Sequence, residues 1–166
     1  AKLGKSDWSI LEADESDGSF IHISPTYSII TNIDREHMDY YKSMGDLKNH
    51  FLKFIKKVPS FGKTFVCNDD QACRRVIKQI KNKNFYTFGQ KEDSNFRIKN
   101  IDQNKILSKF DLNVKLPNKR DLYIRNLKIP LIGIHNIRNS VGAIAVALTI
   151  GIPIQKIKKG LFNFKG

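Results

Sequence analysis

The chain has 166 residues, enough for one domain with a sizeable core, and its apolar fraction of 40% is ordinary for a globular protein. No apolar run approaches the roughly 20 residues of a membrane helix, and the N-terminus lacks a signal peptide's apolar core, so neither membrane insertion nor secretion is expected and a reduced, cytoplasmic protein is the simplest reading. The formal net charge of +13 raises nucleic-acid binding as a possible function. Lysine far outnumbers arginine, however, and the lysines are scattered, as in Lys53-Phe54-Ile55-Lys56-Lys57 and Lys156–Lys159. Grouped arginine forks, on which sequence readers rely, are not evident. Cys67 and Cys73, the only cysteines, suggest neither a disulfide framework nor a zinc site.

In chain order, the apolar runs Trp8–Leu11 and Ser28–Thr31 read as two core strands, with Ile21–Ile23 as a short extended piece between them. Asp46 is placed to cap a helix whose Leu47, Phe51, Phe54, Ile55 and Val58 recur at helical spacing. Pro59, Ser60 and Gly62 end it. Thr64–Cys67 reads as the next strand, Asp69 or Asp70 as the cap of a second helix, and Asn84–Phe88 as a further strand closed by Gly89. This alternation predicts a mostly parallel α/β sheet flanked by helices. The character then changes. Phe96–Ile101, Ile106–Val114 and Leu122–Ile129 are three extended runs separated by turns, and residues 111–116 alternate cleanly. They predict a small antiparallel meander over residues 96–129, within one domain spanning 1–166. Val141–Leu148 is apolar on nearly all sides and predicts a buried helix ended by Gly151. Pro153 and Ile154 open another helix, with Ile157, Leu161 and Phe162 on one face.

Two polar blocks carry chemistry. Glu12-Ala13-Asp14-Glu15-Ser16-Asp17 follows the first apolar run, and Thr31-Asn32-Ile33-Asp34-Arg35-Glu36-His37-Met38-Asp39 follows the second. If both runs are parallel strands, the acids and the histidine fall at strand C-terminal ends, where open α/β sheets bind ligands. Carboxylates and an imidazole there suit a divalent cation and the phosphates it carries. A solvated acidic loop and a surface histidine account for the same residues equally well.

These blocks, with Gly133-Ile134-His135-Asn136-Ile137-Arg138-Asn139, resemble the Mur ligases. The third block is similar to the family's His-Asn-x-x-Asn signature at a helix start. The blocks come in the family's order, and the similarity covers nearly the whole chain. Within the family the chain looks most like the members that join L-alanine to UDP-N-acetylmuramate in peptidoglycan precursor synthesis. Ser16 and Met38 fit that type better than the relatives that recycle muropeptides by attaching a whole peptide. A basic nucleic-acid-binding module is the alternative from another class.

The resemblance implies an ATP-dependent ligase that activates a carboxylate as an acyl phosphate, which an amine then attacks. It implies magnesium held by Glu12 and His37, which are also the expected catalytic residues, and ATP contacted by His135, Asn136 and Asn139. Asn32, Glu15 and Ser16 are expected at the substrate. A turn cap competes with the metal role of Glu12, and asparagine capping of the helix competes with the ATP role. Ile134 stands where such ligases often have arginine, and Lys48 is not clearly at the family's carbamylated-lysine position. No Gly-x-x-x-x-Gly-Lys-Ser/Thr phosphate loop is present, and Gly4-Lys5-Ser6 shows only its last three residue types. The family carries that loop, and a UDP-sugar domain, N-terminal to the region matched, and a further domain C-terminal to it. The resemblance therefore implies a piece of a longer enzyme, the central ATP-binding domain without its phosphate loop, inactive on its own.

Overall fold

The computed structural model describes residues 4, 6–80 and 84–164. Lys5, in the partial phosphate-loop match, and residues 165 and 166 lie outside the described residues.

One six-stranded sheet organises the molecule, its strands lying side by side in chain order. They are β1 (Tyr27–Ile30), β2 (Lys63–Cys67), β3 (Phe85–Gly89), β4 (Phe96–Gln103), β5 (Ser108–Val114) and β6 (Leu122–Ile129). Neighbours from β1 to β4 pair in parallel, and β4, β5 and β6 pair antiparallel. The fold is thus a mixed α/β sheet whose antiparallel meander continues the parallel half. The seam is narrow: β3 and β4 share only the pairs Phe88–Phe96 and Gly89–Arg97.

Helices cover both faces. Alternate residues of a strand point to opposite faces, and the parallel strands are apolar on both, as fully covered strands must be. Ile30 and Val66 face α1 (Met44–Lys56) and α2 (Gln71–Ile77), where Leu47, Phe51, Cys73 and Val76 close one core with Phe20. Phe65, Cys67 and Phe88 face α3 (Ile134–Thr149), whose Ile137, Val141 and Ile144 join a larger core that runs on into the meander. Ile157 of α4 (Ile154–Phe162) closes its end. No helix among the described residues is long and apolar enough to cross a membrane.

The ends of the helices follow local chemistry. Ser43, not Asp46, caps α1: its hydroxyl accepts from the Asp46 N–H at 3.1 Å. Asp46 sits one turn in and accepts from the Lys42 N–H at 3.3 Å, so the two side chains satisfy donors reciprocally. Asp70 caps α2 through the Cys73 N–H at 2.7 Å. Gly151, at φ 84, closes α3 with its N–H on the Leu148 carbonyl.

Three further expectations fail. Trp8–Leu11 is not a strand, and Trp8, Ile10 and Leu11 are 51%, 94% and 67% exposed. An apolar run becomes a strand only beside a hydrogen-bonding neighbour, and no neighbouring strand pairs with this segment among the described residues. The Trp8 ring meets the Tyr27 ring at 5.8 Å, which places the segment near β1 without joining it. Ile21–Ile23 is not extended either: Ser19–His22 forms a short 3-10 helix. Gly18, at φ 69, turns the chain, the Asp17 carboxylate accepts the Ser19 N–H at 2.8 Å, and Phe20 is buried as a result. Phe162 is exposed rather than sharing the buried face of α4.

Gly142 sets how closely α3 lies on the sheet. A Cβ there would stand 2.7 Å from Ile29 Cγ2 and 3.3 Å from Phe88 Cζ. In an open helix, Gly→Ala gains about 1 kcal/mol. Here overpacking against the buried Phe88 ring costs about 1–3 kcal/mol, so the sign reverses. Gly142→Ala is expected to lower the melting temperature, and a rise would show that α3 has room to move off the sheet.

Candidate active site at the C-terminal edge of the parallel strands

β1, β2 and β3 end at one edge, and the loops that follow them carry most of the expected residues. After β1, Asn32 is exposed and its side-chain amide donates to the Asp34 carboxylate at 2.7 Å, while the Thr31 hydroxyl donates to Asn32 Oδ1 at 2.9 Å. His37 follows in the left-handed region, at φ 56, a conformation that is uncommon outside glycine but more accessible to histidine than to most residues. Its carbonyl accepts the N–H groups of Tyr40 and Tyr41, both at 3.0 Å, which fixes the turn.

The acidic block is tied to that turn. The buried Tyr41 hydroxyl donates to the Glu15 carbonyl at 2.5 Å. Burial and the surrounding negative groups push the Tyr41 phenol up to about 12, so it stays a donor. Gly18 makes room for Tyr40, since a Cβ at Gly18 would lie 2.5 Å from the Tyr40 hydroxyl oxygen. The outcome is a cluster in which ligand atoms of Glu15, Glu36 and His37 all lie within 4.8 Å of one another. Asp14 stands close enough for His37 to favour its charged form. The Ser16 N–H, the main cause, and the Ser16 hydroxyl hold the Asp14 carboxyl below the usual carboxylate range. Ser16 thus binds the acidic loop to itself. Glu12 is exposed and outside the Glu15–Glu36–His37 group, because the segment before it is not anchored as a strand.

After β2 and β3 the edge is a polar network that the sequence did not disclose. The Asp69 carboxylate accepts the Gln90 N–H at 2.9 and 3.0 Å, the Lys91 N–H at 3.3 Å and Arg138 Nε at 2.8 Å. Beside it, the buried Asn68 amide donates to Asp93 Oδ1 at 2.7 Å and to Ser94 Oγ at 3.1 Å. Arg74 Nη1 donates to the Asn68 carbonyl at 2.7 Å. One signal was available: an Asp-Asp pair directly after a strand offers one carboxylate for the helix cap and leaves the other for a second task.

Arg138 brings the start of α3 to this edge. Around that start, His135 and Asn139 are exposed, and Asn136 donates to the Ile132 carbonyl at 2.8 Å. No side chain caps the α3 N-terminus, which Gly133 precedes at φ 100. The first-turn N–H groups and the positive end of the helix dipole favour an anion there. The structure thus gathers Asn32, Glu15, Ser16 and His37 by the β1 loop, and His135, Asn136 and Asn139 at the α3 start, on one sheet edge.

Comparison with known proteins agrees with this architecture. The family model of the Mur ligase middle domain matches residues 4–147. The chain is 65% identical over its full length to UDP-N-acetylmuramate--L-alanine ligase of Pelagibacter ubique and covers 36% of that protein. It is 42% identical to the same-named ligase of Rickettsia massiliae, covering 35% of it. The chain therefore spans about a third of the length of these curated relatives. Among solved structures, UDP-N-acetylmuramate-alanine ligase MurC from Thermotoga maritima superposes with a TM-score of 0.73 at 23% identity, over 93% of this chain and 32% of that one. MurF from Acinetobacter baumannii does so with a TM-score of 0.71 at 20% identity, over 91% of this chain and 32% of that one. With most of its length inside the family model, this chain belongs to the Mur ligase family.

Proposed function

We propose that the chain is the central ATP-binding domain of a ligase that joins L-alanine to UDP-N-acetylmuramate, at the expense of ATP and through an acyl phosphate. The observation that carries this reading is the full-length 65% identity to a ligase of that name. The sheet edge supports it, since the β1 loop and the start of α3 both lie at the C-terminal ends of the parallel strands, where open α/β sheets bind ligands. Family membership favours this over the nucleic-acid module that the charge alone raised.

In this reading Glu12 and His37 hold magnesium. Of the two, His37 stands in the group with Glu15 and Glu36, whose ligand atoms lie within 4.8 Å of one another, and carboxylate oxygens with an imidazole are donors that would suit a divalent cation. Magnesium, when bound, supplies positive charge that offsets the repulsion between the γ-phosphate and the substrate carboxylate. Asn32 and the Glu15–Ser16 segment orient the muramoyl end. His135, Asn136 and Asn139 orient the nucleotide, an amide side chain being able to donate and accept at once. Phosphate release by the full-length enzyme, dependent on ATP, UDP-N-acetylmuramate and L-alanine together, is the direct test; release that ignores L-alanine would overturn the reading.

Asn139 separates nucleotide binding from helix capping. Asn136 already bonds to the Ile132 carbonyl, whereas Asn139 is exposed one turn on. In the full-length enzyme, Asn139→Ala is expected to raise KM for ATP, and not that for L-alanine, by a factor worth about 1–3 kcal/mol. A fall in melting temperature with an unchanged ATP dependence would return Asn139 to the scaffold.

A further inference from the structure

We propose that Asp69 and Arg138 form a latch that positions the start of α3, and with it Asn136 and Asn139, for the nucleotide; this rests on the ATP-binding reading above. The Asp69 side chain is only 7% exposed and that of Arg138 32%, and their contact at 2.8 Å spans 69 positions of sequence. Three segments are joined at one carboxylate: the end of β2, the loop after β3 through the Gln90 and Lys91 N–H groups, and α3 through Arg138. A charge-assisted bond inside a largely desolvated site is stronger than its surface counterpart. Gly89 is part of the device. It adopts φ 147, and a Cβ there would stand 2.6 Å from Asp69 Oδ1, so a side chain at this position would push the carboxylate off the loop.

The helix geometry explains why the latch bears on the asparagines. At about 100° per residue, Ile137 points into the core, Arg138 projects to one flank, and Asn136 and Asn139 project to the other. Ile137, Val141, Gly142, Ile144 and Ala145 are buried and seat α3 on the sheet, but Ile137 is the one buried residue among 134–137, so the N-terminal end is held less than the middle. The Arg138 anchor adds a polar hold at that end. It acts just after the first turn of a helix whose N-terminus has no side-chain cap. Arg138 and Asp69 are positioning residues and touch no substrate.

The test compares Arg138→Met, Asp69→Asn and the double variant in the full-length enzyme. Each single variant is expected to raise the ATP dissociation constant three- to tenfold, with KM for L-alanine unchanged, and the double variant to match the worse single. Amide exchange at 136–139 should accelerate about tenfold, while exchange in β5 stays as in the parent. An unchanged ATP affinity in both single variants, or additive losses in the double, would overturn the latch. Because affinity and exchange are read without turnover, a parent enzyme that binds ATP but does not join L-alanine would sink the ligation reading and still decide the latch. A parent that binds no ATP would overturn both.

Discussion

Glu12→Ala in the full-length enzyme is expected to lower kcat by about 10²–10³-fold while the melting temperature stays within about 1 °C of the parent. The rate estimate is the usual loss when one electrostatic stabiliser of transferring charge is removed. The stability estimate follows from exposure: Glu12 is exposed, and surface substitutions away from packing or caps stay within about 0.5 kcal/mol. Glu15 offers the sharper comparison. It lies in the Glu15–Glu36–His37 group while Glu12 does not. If Glu12 is the ligand, closure of the acidic loop must bring it to His37, and Glu15→Ala should cost less in kcat than Glu12→Ala. Titrating magnesium in both variants reads the difference. A turnover near that of the parent at limiting magnesium in Glu12→Ala, with a steep loss in Glu15→Ala, would transfer the metal role to Glu15.

The position of Glu12 outside that group traces to one segment. β6 was legible to the residue, because Leu122–Ile129 is bounded by turn residues on both sides and its inward positions Ile124, Leu127 and Ile129 are apolar. α3 was legible because residues 141–148 are apolar on nearly all sides and Gly151 follows to end the helix. The Trp8–Leu11 run carried the same hydrophobic signal as β1 and folded otherwise, since composition measures the wish to be buried and not the presence of a partner strand. Ser19–His22 was missed because two local hydrogen bonds at Asp17 and Gly18, rather than periodicity, decide its shape. The candidate site divides in the same way. His37, Asn136 and Asn139 were found through motif likeness. Asp69 and Arg138 were not, because their meeting depends on three segments converging at the sheet edge, and spacing along a single chain does not encode that.

The other large effect lies in the core beneath the site. Phe65→Ala is expected to destabilise the fold by about 3–5 kcal/mol, the usual range for deleting a buried aromatic ring. Phe65 is fully buried on β2, between β1 and β3, and its ring lies 6.5 Å from Tyr27, 6.1 Å from Tyr86 and 6.0 Å from Phe96. Those rings belong to β1, β3 and β4, so one side chain ties together the parallel strands and the first strand of the meander. The β3–β4 seam has only two residue pairs in register, which leaves side-chain packing to hold it. For a domain of this size the loss corresponds to a fall of roughly 6–20 °C in melting temperature. Phe65→Leu keeps most of the volume and should cost well under half as much. The distinction from Glu12 is then one of kind. Well below its melting temperature, Phe65→Ala should keep kcat close to that of the parent, because the ring supports the sheet edge without touching a reacting group. A loss of kcat at low temperature, with secondary structure intact, would instead mean that the seam transmits strain to the loops after β2 and β3.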